Sequence, residues 1–424
     1  MIKSRPSMVA SLREYKFIYE CLFEEFQAGD TVLRLDLTDK FRALEARNPQ
    51  TGFSYLMDEY RMLSTFTPDL HPRTCTAGLL PENERKNVDQ SIVPPDFYRP
   101  FLNVRGNPST DGYINALFVD GFRRQREFLV TQCPLNNTVY AFWRMVYDYQ
   151  VQSIVQLGTF SGHNQAQYIP VTGSRRFEYL LVELVNVSLQ RSITIRNLKL
   201  CSDTLAGVEN RAVRHFQLAH GQEDNTAAPV SQDSCPNSPA EIIHLLELVM
   251  AWQKAANRRT RPIVVCCTNG ATHCGVFCCS AVLCERLRED QEVDLYHTVK
   301  HVKRRRPQFI ADFDQYRFLY QVLLEYMDNF LDNGGEVKDG GEGTEKLLVD
   351  CRCLHRILDN MDPCDDVSLR ATDCSPCATQ RQTSVRFRPS APAGYGMSEG
   401  NSCVISSFAG IPVLETELKG EKET

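Results

Sequence analysis

No stretch of the 424-residue chain approaches the roughly 18 apolar residues that a membrane span needs. The amino terminus, Met1-Ile2-Lys3-Ser4-Arg5, is not followed by the apolar segment of a secretory signal peptide, so none is expected. Positive charge is not in excess either. Against 47 Lys and Arg stand 53 Asp and Glu, a net charge of -6, which removes the electrostatic case for nucleic acid or an anionic membrane surface as a ligand. With 42% hydrophobic and 24% charged residues the composition is that of a folded globular protein, long enough for one large domain with extra segments or for two domains. Cysteine, by contrast, is abundant. There are 17, an odd number, with adjacent pairs at Cys266-Cys267 and Cys278-Cys279. Neighbouring residues do not build a disulfide framework, and we read these thiols as reduced, in cytosol.

The stretch from Pro262 to Gly275 organises the chain. Pro262-Ile263-Val264-Val265-Cys266-Cys267 is apolar and β-branched and reads as a buried strand. A small polar loop follows, Thr268-Asn269-Gly270-Ala271-Thr272, and from Val276 to about Arg288 the pattern predicts a helix. Strand, tight loop and helix N-terminus together gather backbone N–H groups around an anion, and a cysteine on that loop would be held as thiolate. The plain alternative is a core strand ending in two small apolar cysteines.

Around this stretch the chain divides into four parts. In residues 1–30, the run from Arg5-Pro6 to Tyr19 lines up with Arg306-Pro307 to Tyr320 at a constant offset of 301. Both copies continue as amphipathic helices, the second with Tyr316, Leu319, Tyr320, Leu323, Leu324 and Met327 on one face. Residues 1–30 are therefore expected to be the terminal helix of an upstream domain, in a fragment of a tandem protein or a truncated product. Residues 31–60 read as a connection with short helices, one over Asp39–Ala46 with Thr38 as its cap and Asn48-Pro49 as its stop.

Residues 61–332 alternate strands and helices. Strands are expected at Tyr113–Val119, Phe128–Thr131, Ser153–Leu157, Tyr179–Val187, Ser192–Lys199 and Ala212–Leu218. Helices are expected at Thr138–Tyr149, Pro239–Ala256, Val276–Arg288, Leu295–Arg304 and Asp314–Asp332. This is the pattern of a large α/β domain with a mixed sheet. The run Lys303-Arg304-Arg305-Arg306 falls at a helix C-terminus, where its expected role is to complement the helix dipole. Residues 333–424 are rich in Gly, Asp, Ser, Thr and Pro and read as a disordered, dispensable tail with a short helix near residues 347–358. Cys351, Cys353, His355, Cys364, Cys374 and Cys377 fit no zinc spacing, so scattered tail cysteines are expected rather than a metal site. No cofactor is expected.

The loop from Cys266 to Gly275 resembles the signature loop of the protein tyrosine phosphatases, in which His-Cys is followed by five residues, Arg, Ser/Thr and Gly. Other family segments follow in order: Lys86-Asn87, Tyr113-Ile114-Asn115-Ala116, Asp120-Gly121, Thr131-Gln132-Cys133-Pro134-Leu135, Phe142-Trp143-Arg144-Met145, Gln167-Tyr168, Arg214-His215-Phe216-Gln217, Arg306-Pro307 and Asp314-Gln315-Tyr316-Arg317-Phe318. The resemblance covers roughly residues 61–332. Leu79-Leu80-Pro81, Val93-Pro94-Pro95-Asp96, Tyr147-Asp148-Tyr149 and Thr268-Asn269-Gly270 look most like the second, membrane-distal domain of tandem receptors whose extracellular part carries a MAM domain.

The resemblance implies a cysteinyl-phosphate mechanism, and it says where each group should fall. Cys267 takes the nucleophile's place. His273 stands where Arg would grip two phosphate oxygens; imidazole is shorter and has no fork. Cys274 replaces the hydroxyl that helps the thiolate leave, and Cys266 replaces the preceding His. Gly221, Gln222 and Glu223 stand for the Trp-Pro-Asp of the mobile acid loop, so Glu223 alone keeps a carboxyl group there. Ala311 replaces the Gln that positions water. Asp89 replaces the Tyr that stacks on the substrate and would repel a phosphate dianion. Thr268, Asn269, Gly270, Ala271 and Thr272 would supply the N–H cradle.

Scaffold motifs persist while chemical positions change. The expected function is a catalytically impaired phosphatase-like domain, acting as a regulatory or docking module on the cytoplasmic side of a receptor. Its partners would be the upstream phosphatase domain, a second receptor copy or phosphotyrosine signalling proteins. The alternatives are a weak phosphatase using Cys267 with Glu223, and a thiol redox sensor in which Cys266 or Cys274 resolves oxidised Cys267.

Overall fold

The computed structural model describes residues 8–34, 37–67, 70–102, 112–158, 166–204, 207–219, 238–255 and 260–332. Gly221, Gln222 and Glu223, the expected tail and its cysteines lie outside the described residues.

The chain begins with α1 (Leu12–Ala28), started by a reciprocal cap between Ser11 and Glu14. Next come β1 (Val32–Leu33), α2 (Leu37–Glu45) and α3 (Tyr55–Phe66), the last capped by Ser54. Thr38 lies inside α2 rather than capping it, because the helix reaches back to Leu37, whose side chain is fully buried. Packing of an apolar residue overrides a weak local cap. The α3 helix runs through residue 60, and Leu56 and Leu63 bury into the same core as the last helix of the domain.

The body then follows as β2 (Ala116–Val119), β3 (Phe128–Gln132), α4 (Val139–Asp148), β4 (Ser153–Leu157), β5 (Ser174–Phe177), β6 (Leu180–Gln190), β7 (Ile193–Thr204), β8 (Gly207–Leu218), α5 (Pro239–Ala255), β9 (Ile263–Cys267), α6 (Thr272–Asp290), β10 (Val293–Asp294), α7 (Leu295–Lys303) and α8 (Phe313–Asp332). Eight of the strands form one sheet in the order β2-β3-β9-β4-β8-β7-β6-β5. The central strands β3, β9, β4 and β8 are parallel, and both flanks are antiparallel. Every residue of β2, β3, β4 and β9 is buried, as the continuous apolar runs require when helices cover both faces.

Strand alternation sorts β9 between two cores. Val264 and Cys266 face the layer that contains α4, with Phe142 and Trp143. Ile263, Val265 and Cys267 face the layer built by α5, α6, α7 and α8. Cys267 is thus the last residue of the central strand, on the side where α6 begins.

The repeat has opposite fates in its two copies. In α8, Tyr316, Leu319, Tyr320 and Leu323 are buried, and both tyrosine hydroxyls donate to Glu59, at 2.5 and 2.8 Å. In α1, the equivalent Tyr15, Ile18, Tyr19 and Leu22 are exposed, and the two tyrosine hydroxyls bond each other at 3.0 Å. Glu24 pairs with Lys300, and Phe23 packs against Phe66, so α1 touches the body through its far end.

Candidate active site

The loop after β9 is tighter than the sequence predicts. The α6 helix starts at Thr272, four residues before Val276, so His273 and Cys274 lie in its first turn. The cause is packing: Gly275 lies against Phe309, where even a Cβ would come within 3.0 Å of the Phe309 Cβ, and its N–H donates to Ala271 O at 2.8 Å. Gly270 holds the turn at φ +69, a left-handed backbone suited to glycine.

The loop is fastened from below. The backbone N–H groups of Cys133 and Gly270 both donate to Cys267 O, at 2.8 and 3.3 Å. Arg306 is fully buried. It donates from Nη1 to Gly270 O and from Nη2 to Asn115 Oδ1, the latter at 2.7 Å. The basic run starts in the last turn of α7, as expected, but it also makes specific contacts beyond the helix. Lys303 Nζ donates to the carbonyls of Pro307, Phe309 and Ile310, Arg305 pairs with Asp120, and Arg306 supports the loop. The chain turns sharply after α7, which places carbonyl acceptors from residues 307–310 around cations that would otherwise have faced solvent.

A second loop forms the opposite wall. Asn87 accepts from Tyr113 Oη and Asn115 Nδ2 and donates to the carbonyls of Gly78 and Asn83. Gln132 clasps the same loop by accepting from Val88 N–H at 2.9 Å and donating to Lys86 O at 2.9 Å. Between the walls lies a cleft of about 420 Å³, lined by Val88, Asp89, Gln90, Cys267, Thr268, Asn269, Thr272 and His273. Asp89 is one of the lining residues, and its Oδ1 accepts from Ser91 N–H and Oγ, at 2.8 and 2.7 Å.

At the floor, burial raises the Cys267 thiol's pKa. The Cys274 thiol that donates to its sulfur, the charge of His273 and the N–H groups of Cys274 and Gly270 together overcome this and bring it down to about 6. Cys274 is raised well above the usual thiol range by burial and by the sulfur it serves. Cys266 points the other way, 3.9 Å from the Tyr168 hydroxyl.

Of the other expected positions, Thr268, Asn269, Thr272 and His273 line the cleft, and Gly270 and Ala271 close the turn beneath it. Ala311 is exposed and not among the lining residues. Its N–H donates to Gln315 Oε1, and its carbonyl accepts from Tyr60. Sequence reasoning missed the support given by Arg306, Gln132 and Asn87, and took Asn269 for a backbone donor only. The signal for Asn269 was the Asn-Gly dipeptide, since a short amide in a turn folds back on its own backbone.

Residues 83–325 match the family model of the protein-tyrosine phosphatases. Among curated relatives, receptor-type tyrosine-protein phosphatase U of Gallus gallus is 30% identical over 77% of this chain and 22% of its own length. Receptor-type tyrosine-protein phosphatase alpha of Mus musculus is 31% identical over 77% of this chain and 38% of its own. Receptor-type tyrosine-protein phosphatase epsilon of Homo sapiens is 32% identical over 77% of this chain and 46% of its own. The chain therefore spans less than half the length of these relatives. The family match covers more than half of the chain and brackets both walls of the cleft and the cysteine at its floor: the chain belongs to the protein-tyrosine phosphatase family.

Proposed function

We propose that the chain is a catalytically impaired tyrosine phosphatase domain, the second of a tandem receptor of the MAM-containing group, and that it serves as a regulatory or docking module. The observation that carries this reading is the lining of the cleft. Among the described residues its lining holds a poised cysteine, no Arg or Lys, and one acidic residue, Asp89, whose charge opposes an arriving phosphate. Phosphoryl transfer to sulfur concentrates negative charge on the transferring oxygens, and a positioned cation supplies much of the stabilisation. His273 offers a single ring in its place, and the buried guanidinium of Arg306 is committed to Gly270 O and Asn115. Losing one such donor typically costs about 10²–10³ in rate.

As such a module the domain would act on the cytoplasmic side of the membrane, toward an upstream phosphatase domain, a second receptor copy or phosphotyrosine signalling proteins. The exposed apolar face of α1 supports attachment to a neighbouring body. No described helix is long and apolar enough to cross a membrane.

The test is turnover of an aryl phosphate by the whole chain beside its Cys267→Ser variant. Equal, negligible rates are expected; a Cys267-dependent rate would replace this reading with that of a weak phosphatase. The contact between the Cys274 thiol and the Cys267 sulfur favours a second reading, a redox sensor. In that case hydrogen peroxide oxidises the Cys267 thiolate to sulfenic acid, releasing hydroxide, and Cys274 displaces water to form a disulfide. Intact mass after mild peroxide treatment reads this as a loss of two hydrogens that Cys274→Ala abolishes.

A further inference from the structure

The floor of the cleft is occupied by the chain itself. One oxygen, Asn269 Oδ1, accepts from Ala271 N–H at 2.9 Å and from Thr272 N–H at 3.1 Å, and lies 3.5 Å from Cys267 Sγ. The same amide donates from Nδ2 to Thr272 Oγ1 at 2.8 Å, which fixes its orientation. Two loop N–H groups and a sulfur converging on one oxygen are the surroundings that an oxyanion poised against that sulfur would need. Here they surround a neutral carboxamide. These two donors are thus satisfied without an ion, and an anion arriving to use them must first displace the amide.

We infer that Asn269 is a specificity-determining residue that closes the cradle to phosphoryl and other tetrahedral oxyanions by filling it with its own carboxamide oxygen. The inference rests on the reading of this cleft as a phosphatase-family cradle, and it adds a barrier at binding that is separate from the missing cation. Shortening the side chain would leave the Ala271 and Thr272 N–H groups without this acceptor. Two ordinary hydrogen bonds no longer to be broken correspond to about ten- to a hundredfold in affinity. Lengthening or charging it without removing the oxygen would not open the site.

The experiment is calorimetric titration of the full chain with tungstate and with inorganic phosphate, for the wild type, Asn269→Ala and Asn269→Asp. Asn269→Ala is expected to bind at least about tenfold tighter than the wild type, and Asn269→Asp no tighter than the wild type, because its carboxylate keeps the contacts and repels the anion. Unchanged binding by a folded Asn269→Ala, or equal gains from both substitutions, overturns the inference. Should Asn269→Ala fail to fold, the wild type still decides. Its Ala271 and Thr272 amide resonances should stay fixed under tungstate up to millimolar concentration, and movement in the micromolar range overturns the inference. Cys267-dependent turnover by the wild type is a different result, which would sink the impaired-enzyme reading instead.

Discussion

Replacing Gly270 with alanine tests whether the loop is as tightly seated as the geometry says. A Cβ on Gly270 would lie 2.5 Å from the backbone nitrogen of Gln132 and 2.7 Å from the carbonyl carbon of Thr131. Both atoms belong to β3, which is held in register with β9 at Thr131↔Cys266 and Gln132↔Cys267, so neither can retreat without breaking the central ladder. Two costs add. Holding a side chain at φ +69 costs about 1–2 kcal/mol, and overpacking against an unyielding backbone costs about 1–3 kcal/mol more. A total of about 2–5 kcal/mol is a large share of the roughly 5–15 kcal/mol that holds a typical domain together.

Gly52 supplies the internal control. Its φ is +78, but its nearest neighbour to a new Cβ is the flexible end of Arg47 at 3.8 Å, so Gly52→Ala should show the conformational cost alone. Denaturant titrations of the two variants beside the wild type give both numbers, and their difference isolates the steric part. If Gly270→Ala is no less stable than Gly52→Ala, the loop does not press on β3 and the account of its rigidity is wrong.

Three further outcomes are expected. Alkylation of Cys267 by iodoacetamide should rise with pH about a midpoint near 6, and Cys274→Ala should move that midpoint upward by removing the thiol donor. The folded thiol ionises below an ordinary cysteine at about 8.5, so its contribution to stability is complete above that value and is lost as pH falls through 6; stability of Cys267→Ser should be correspondingly flatter across that window. Arg306→Met should cost about 2–4 kcal/mol in urea, because Gly270 O and Asn115 Oδ1 each lose a buried donor; a loss under about 1 kcal/mol would mean the guanidinium is not a support. Finally, His273→Arg alone should not restore turnover, since Asp89 still lines the cleft and Asn269 still fills the cradle; multiple turnover by that single variant in a steady-state assay would refute the division of roles.

Much of the scaffold was legible before any coordinate. The strand Ser153–Leu157 and the helix starting at Pro239 coincide with their expected bounds, because a short apolar run or a 3.6-residue period is a local property. The short β5 escaped notice. Its Ser174, Arg175 and Arg176 are exposed, and it exists as a strand only because the edge of β6 offers it a ladder. The repeat shows the same divide. Its apolar face recurs at the same spacing in α1 and α8, yet Tyr15, Ile18, Tyr19 and Leu22 are exposed and their counterparts buried, since burial depends on which surface the fold brings opposite.

At the site, the resemblance to the phosphatase signature loop marked Cys267 and His273 and the departures around them. Only the folded chain decided that Arg306 would reach under a loop 36 positions earlier, that Asn87 and Gln132 would clamp the facing wall, and that the Asn269 amide would turn inward to take the cradle's hydrogen bonds. The physical reason is one of range. Hydrophobic patterning is fixed within a few residues, whereas the ionisation of a thiol and the occupancy of an N–H cradle depend on every donor, charge and neighbour within a few ångströms, most of them supplied by distant parts of the chain.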